Sequence, residues 1–233
     1  MVNILLTGAS RGIGAAARKA LSTAGHNVIG QSTAGGGGLI ASDFAQPRAA
    51  DALWASALAQ AGGRIDVLIN NAGVFEDADI NDADGFAATW ARSHAINLQA
   101  TADLCRHAVL HFQEIGSGRI VNVASRAGHR GDSPDHWHYA AAKAGMIALT
   151  KTIARGYGHQ NIVAYSVAPG FTLTAMAEAY LATPAGARVI ADTPLGRVAT
   201  ADEVAETIRW LATEAPASLT GATLDINGAS YVR

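Results

Sequence analysis

The sequence predicts an α/β fold: one parallel sheet, doubly wound, with helices on both faces. Three observations predict it. Short apolar runs alternate with longer helical stretches from end to end of the 233 residues. Several runs, such as Val67-Leu68-Ile69 and Ile120-Val121, are continuously apolar, as strands covered on both faces are. A glycine-rich turn, Thr7-Gly8-Ala9-Ser10-Arg11-Gly12-Ile13-Gly14, joins the first apolar run to the first helical stretch. The composition, 49% hydrophobic and 15% charged, belongs to a packed globule rather than a disordered chain. With no internal repeat and no Pro/Ser-rich linker, 1–233 reads as a single domain.

Taken in order, a strand at 3–6 leads through the glycine turn into a helix over 14–24. A second strand follows at 27–30, and a third at 39–41. About eight residues separate them, among them Gly35-Gly36-Gly37-Gly38, too few for a parallel crossover of about 12. The helix expected there is therefore replaced by a loop. A helix at 48–60 precedes the apolar strand 67–70, and a long helix is expected over 85–113. The strand 119–124, an alanine-rich helix over 139–157 and the strand 162–167 complete the core pattern. The stretch 171–198 is rich in Ala, Thr and Pro, lacks a strong period and carries Pro184 and Pro194 as breakers, so a mobile substrate loop over a pocket is expected. A helix at 201–213 and a strand at 223–226 end the chain.

The formal net charge is −2, with no Lys/Arg run to follow a nucleic-acid backbone. Cys105 is the only cysteine, which excludes an intrachain disulfide and reads as a small buried hydrophobe. The opening residues lack the charged flank of a signal peptide, and no apolar run reaches about 18 residues. No membrane span is expected, and the expected location is the cytoplasm.

Glycines between a strand and a helix permit a tight turn and let backbone approach a pyrophosphate at a helix N-terminus. The spacing here is G-x-x-x-G-x-G, and the alternative is a turn in which glycine only serves backbone angles. In NAD sites a carboxylate about 20 positions further on holds the ribose 2′-hydroxyl. Here the second strand ends Gly30-Gln31-Ser32-Thr33, without one. A 2′-phosphate meets no repulsion there, and Arg11, Ser32 and Thr33 offer it donors, so NADP(H) is favoured over NAD(H). Tyr139 and Lys143 stand four apart in Tyr139-Ala140-Ala141-Ala142-Lys143, on one face of a helix. An ammonium beside a phenol favours phenolate and lowers the tyrosine pKa, which suits proton transfer near neutral pH. Such a pair also arises by chance on solvated helices.

Together these signals resemble the short-chain dehydrogenase/reductase family, over almost the whole chain. The resemblance rests on Thr7-Gly8-x-x-x-Gly12-x-Gly14, Asn70-Asn71-Ala72-Gly73, Ile96-Asn97-Leu98, Ser125 after Val121-Asn122-Val123-Ala124, Tyr139-x-x-x-Lys143 and Pro169-Gly170. Val28-Ile29-Gly30 and Val167-Ala168-Pro169-Gly170-Phe171 are similar to its 3-oxoacyl-carrier-protein reductase-like branch. The resemblance implies a Rossmann fold and a catalytic tetrad of Asn97, Ser125, Tyr139 and Lys143. Tyr139 is then the acid in reduction and the base in oxidation, Ser125 a donor to the reacting oxygen, Lys143 a ligand of the nicotinamide ribose, and Asn97 the holder of a relay water. It implies cofactor contacts from Gly8, Ser10, Arg11, Gly12, Ile13, Gly14, Ser32, Thr33, Asp43, Phe44, Asn70, Ala72, Gly73, Tyr139, Lys143, Pro169, Gly170, Thr172 and Thr174. Asp43 sits where the family has an Asp on the adenine amine, with an Asx turn as the alternative. The resemblance also implies a homotetramer assembled through the helices that carry Asn97 and Tyr139.

Two departures bear on the substrate. Ser125 and Tyr139 stand 14 positions apart, about one more than is usual in the branch, and the residues between are polar: Arg126, His129, Arg130, Asp132, Asp135, His136 and His138. Arg130 or His138 is expected to meet an anionic substrate group, unless the loop is solvated or a subunit contact. Its histidines and Asp135 fall on one loop without a firm geometry, so no metal is expected. The basic residues with which the branch docks an acidic carrier protein are replaced by Gly116 and Gln160, and Arg119 and Arg155 read as structural. The sequence therefore predicts a reductase or dehydrogenase of a small carbonyl/alcohol pair. A 3-oxoacyl-thioester reductase and a non-catalytic NADP-binding regulator are the alternatives.

Overall fold

The computed structural model describes residues 1–233 apart from the side chains of Ala175 and Met176. In chain order the strands are β1 (Asn3–Leu6), β2 (Asn27–Ser32), β3 (Ile40–Ala41), β4 (Val67–Asn70), β5 (Gly118–Val123), β6 (Ile162–Pro169), β7 (Thr172–Leu173), β8 (Ala199–Thr200) and β9 (Thr223–Ile226). The helices are α1 (Gly12–Thr23), α2 (Ala49–Gln60), α3 (Ala83–His94), α4 (Ala100–Ile115), α5 (Ala127–Arg130), α6 (Trp137–Tyr157), α7 (Ala175–Leu181), α8 (Pro184–Ala191) and α9 (Ala201–Thr213). Seven strands form one sheet in the order β3-β2-β1-β4-β5-β6-β9, parallel throughout, and β7 pairs with β8 apart from it.

The two-residue period of the strands builds the two cores. Leu5, Leu68 and Ile120 face α2, α4 and the far end of α6, with Leu53, Leu104, Phe112 and Ile153 packed against them. Their neighbours Ile4, Leu6, Val67, Ile69 and Val121 face α1 and α9, against Leu21, Val204, Ile208 and Leu211. Both faces are dry, which is why the strands are apolar at every position. Cys105 is buried in the first core, and burial pushes its thiol pKa up to about 12.

Three places repay comparison with the sequence. No helix joins β2 to β3; Gly35, Gly36, Gly37 and Gly38 all take positive φ, a run of left-handed residues that a side chain at each position would strain. The long helix expected over 85–113 is broken at its middle by a π-helical turn, Ala95–Gln99, between α3 and α4. The stretch 171–198, expected as a loop without regular structure, holds α7 and α8, each opened by a threonine: Thr174 accepts from Ala177 N–H and Thr183 from Gly186 N–H. Pro184 begins α8 rather than breaking a helix, because its missing N–H is no loss in a first turn.

The start of α9 falls where expected because Thr200 and Glu203 close a reciprocal capping box. Thr200→Ala should lower stability by about 1 kcal/mol. Thermal unfolding should show this as a midpoint lower by about 2–4 °C; an unchanged midpoint would mean that the cap contributes nothing.

Candidate active site

The strand order reverses between β1 and β4, so connections from their C-terminal ends part in opposite directions and leave a crevice. Its floor is clamped by Thr7 and Asn71. Thr7 Oγ1 accepts from the N–H groups of Asn71 and Ala72 at 2.9 and 3.0 Å, and Asn71 Nδ2 donates to the carbonyls of Thr7 and Gly8 at 3.0 and 3.1 Å. Gly8 N–H donates to Gln31 Oε1 at 2.9 Å, while Gln31 Nε2 donates to the Ser42 carbonyl at 2.6 Å. The glycine turn is thus fixed to β4 on one side and to the end of β2 on the other. A Cβ on Gly8 would lie 2.8 Å from Ala72 Cα, and one on Gly12 would lie 3.3 Å from Thr174 Cγ2. This cradle opens on the N-terminus of α1, where Arg11 makes no capping bond. Backbone N–H groups there are free to meet an anion, so the residues present fit the pyrophosphate of a dinucleotide.

The sequence-expected tetrad converges beside this cradle. Asn97 is buried in the π-helical turn, where its Oδ1 accepts from Val74 N–H at 2.9 Å and its Nδ2 donates to the Val74 carbonyl at 3.0 Å and to Ser93 Oγ at 2.9 Å. The extra residue of a π turn rotates one side chain out of the helical register, here onto Val74. Gly73 fills the narrow space between Asn97 and α6: a Cβ there would lie 2.8 Å from Asn97 Oδ1 and 3.6 Å from Lys143 Nζ. Lys143 Nζ donates to the Val123 carbonyl at 2.8 Å and lies 5.6 Å from the centre of the Tyr139 ring. The Ser125 hydroxyl, beyond the end of β5, neighbours the Tyr139 phenol and accepts from Ala127 N–H at 3.1 Å.

The electrostatics differ from the sequence expectation. Burial pushes the Tyr139 pKa up to about 12, the nearby Ser125 hydroxyl acts to lower it, and Asp132 acts to raise it. Tyr139 keeps part of its surface open to the crevice, but protein surrounds its phenol. Burial also lowers the Lys143 pKa to about 8. Lys143 approaches the ring face, an attractive position for a cation, yet its ammonium bonds to Val123 and not to the phenol. In the free protein, desolvation outweighs the pairing expected from the four-residue spacing.

The other expected contacts divide into two groups. Ser10, Ala72, Gly170 and Thr174 lie in the connections around the crevice, Gly14 in the first turn of α1 and Thr172 in β7, with Thr172 Oγ1 donating to the Gly170 carbonyl at 3.1 Å. Pro169 ends β6 and accepts from Arg126 N–H at 3.0 Å. Asn70 and Phe44 turn inward instead. Asn70 is buried and donates to Asn122 Oδ1 at 2.9 Å, and Phe44 packs in the core with Leu53 and Trp54. Ile13 packs against the opposite core. Ser32 Oγ accepts from Gly35 N–H at 3.0 Å, and Asp43 Oδ1 accepts from Ala45 N–H at 3.0 Å, which is the Asx turn. Thr33 is exposed.

His138 cannot meet a substrate as expected: it is fully buried, with Nε2 3.1 Å from the Glu76 carbonyl. Arg130 is already engaged, 3.6 Å from Asp192 and 3.4 Å from the Ser230 carbonyl. Among the described residues, no group of three or more His, Cys, Asp or Glu side chains is arranged to hold a metal ion. The sequence reading gave no role to Gln31, Val74 or Ser93, whereas Phe75 opens the stretch 75–95 that it took as a variable part of the pocket. Phe75 is exposed, stacks on His136 at 3.7 Å and meets Tyr139 edge to face at 4.8 Å, forming one wall of the crevice.

Fold and site define an oxidoreductase of the alcohol–carbonyl type, and comparison with known proteins agrees. The family model described as Enoyl-(Acyl carrier protein) reductase matches residues 8–229. The chain is 32% identical over 243 residues to the 3-oxoacyl-(acyl-carrier-protein) reductase FabG of Escherichia coli, covering 98% of this chain and 96% of that protein. It is 38% identical over 242 residues to the 3-oxoacyl-(acyl-carrier-protein) reductase of a Synechocystis species, covering 96% and 94%. It is 35% identical over 239 residues to the cis-4-hydroxycyclohexanecarboxylate dehydrogenase of Sinomonas cyclohexanicum, again covering 96% and 94%. The chain belongs to the short-chain dehydrogenase/reductase family, in its 3-oxoacyl-carrier-protein reductase-like branch.

Lys143 gives the site a stability signature. Its pKa falls from 10.5 to about 8 on folding, so the buried ammonium costs about 3 kcal/mol below pH 8. That cost disappears as pH rises from about 8 to 10.5, where the unfolded chain binds the extra proton. Urea unfolding over this range should show Lys143→Met gaining stability over wild type below pH 8 and losing the gain by pH 10.5. Parallel curves would contradict the depressed pKa.

Proposed function

We propose that the protein is an NADP(H)-dependent oxidoreductase that moves a hydride between the nicotinamide and a small carbonyl/alcohol substrate, with Tyr139 as general acid and base. The observation that carries this reading is the convergence of Ser125, Tyr139, Lys143 and Asn97 around Gly73, next to a glycine turn shaped for a pyrophosphate. The dinucleotide, when bound, supplies or accepts the hydride. Tyr139, protonated at neutral pH, gives its proton to the developing alkoxide, and Ser125 donates to the same oxygen. Lys143, with a pKa of about 8, exchanges protons near neutrality and so can restore the phenol. The side chain of Asn97 is spent on Val74 and Ser93, which leaves its main-chain carbonyl as the group to hold a relay water.

Two features support NADP(H). The end of β2 offers Gln31, Ser32 and Thr33 rather than a carboxylate, and Gln31 is committed to Gly8 and Ser42. Arg11 stands exposed at the start of α1 with no side-chain hydrogen bond among the described residues, ready to pair with a 2′-phosphate.

The relatives' names divide between carrier-protein thioesters and a small hydroxycarboxylate. Gly116 presents no charge, Gln160 accepts from Gln113, and Arg119 is tied to the Leu211 and Ala215 carbonyls at the end of α9. These observations favour a free small molecule over an acidic carrier protein. Exposed Trp137 on α6 and Trp90 on α3, both against Phe86, support assembly of copies through these helices into a homotetramer.

Tyr139→Phe should lower the rate of NADPH-linked carbonyl reduction by about 100-fold or more while NADPH still binds; undiminished turnover would overturn the mechanism. Titration of the protein's fluorescence should give a lower Kd for NADPH than for NADH, and the reverse order would overturn the cofactor assignment.

A further inference from the structure

Arg126 is the residue directly after Ser125, and its backbone is fixed from both sides. Its N–H donates to the Pro169 carbonyl at 3.0 Å, and its own carbonyl accepts from His129 and Arg130 N–H, both at 3.0 Å, to open α5. The residue is only partly exposed, yet its guanidinium makes no hydrogen bond or ion pair among the described residues. A guanidinium carries five N–H donors and no acceptor, so a half-buried one is ordinarily paired. Arg11, Arg106, Arg155 and Arg188 also lack an acceptor among the described residues, but all four are exposed to water. None of the Arg126 nitrogens is sealed from solvent, so the group remains open to a ligand.

Its neighbours show which ligand it is open to. The like charge facing it is Arg130, and the carboxylates facing it are Asp132 and Asp192. Asp192 is already held by Arg130, and Asp132 Oδ1 accepts from Ser133 N–H at 2.8 Å. Arg126 directly follows Ser125, which neighbours the Tyr139 phenol, and its N–H is held by Pro169 at the end of β6, so its backbone borders the reacting groups.

Building on the function proposed above, we propose that Arg126 is a specificity-determining residue that grips a carboxylate on the substrate, making the preferred substrates small oxo acids and their hydroxy acids. The planar fork matches a carboxylate in two parallel hydrogen bonds. The substrate's carbonyl oxygen lies at Ser125 and Tyr139, and the carboxylate a few bonds away turns toward the adjoining residue. The anion replaces the hydration that Arg126 has partly lost through its partial burial.

The test compares matched probes with NADPH: 3-oxobutanoate, 4-oxopentanoate and 4-oxocyclohexanecarboxylate, each against its methyl ester. Wild type should prefer at least one acid over its ester in kcat/KM. Arg126→Leu should lower that acid-to-ester ratio by about tenfold or more, with Arg126→Lys recovering part of it. Equal losses for acid and ester in Arg126→Leu, or no preference for any acid in wild type, would overturn the proposal while leaving hydride transfer established. Titration of the protein–NADPH complex with non-reactive cyclohexanecarboxylate separates the two readings. Binding that Arg126→Leu weakens at least tenfold, without turnover of any probe, would sustain the carboxylate site and sink the proposed reaction; binding indifferent to Arg126 would sink the site.

Discussion

The site depends on one interaction, the grip of the Asn97 amide on both backbone groups of Val74. That grip requires the π-helical turn, since a regular helix from 83 to 115 would not present Asn97 at the end of β4. It also requires Gly73, because any side chain there would enter the space shared by Asn97 Oδ1 and Lys143 Nζ. Lys143 then has one acceptor, the Val123 carbonyl at the end of β5, and the placing of the ammonium fixes α6 and with it Tyr139. Ends of adjacent parallel strands, a deformed helix and an alanine-rich helix are thus locked around a single small residue.

Burial sets the protonation states that result. Phenol and ammonium both lose water, and each shifts toward its neutral form: Tyr139 up to about 12 and Lys143 down to about 8. A tyrosine held firmly protonated is a donor, and a lysine near neutrality is a reservoir. In the proposed mechanism the two residues divide the work of moving a proton inward rather than sharing it in one phenol–ammonium pair.

Much of this was legible in the sequence because it rests on short-range chemistry. Continuous apolar runs marked strands with two covered faces, and β1, β4 and β9 fall at the expected residues. Four glycines in succession marked the missing crossover. The gathering of Asn97, Tyr139 and Lys143 was legible through motif spacing. What the sequence did not show depends on contacts across the fold. Spacing placed Tyr139 beside Lys143 but gave no measure of their burial, so the expected drop in the Tyr139 pKa became a rise. His138 looked available within a polar run, yet the helix turns it wholly inside. Phe44 lies just after β3 and Asn70 ends β4, but their side chains serve the core and the sheet. The helices at 175–181 and 184–191 are short, and their threonine caps are single residues within a stretch that has no period.

Gly73 holds open the junction between Asn97 and Lys143. The most direct measurement is the single-turnover rate of carbonyl reduction by Gly73→Ala, made on protein whose far-UV circular dichroism and thermal midpoint show it folded. The account predicts a folded protein whose rate falls by about 100-fold, as displacement of about an ångström from catalytic geometry does. A folded Gly73→Ala protein with a rate within twofold of wild type would contradict it.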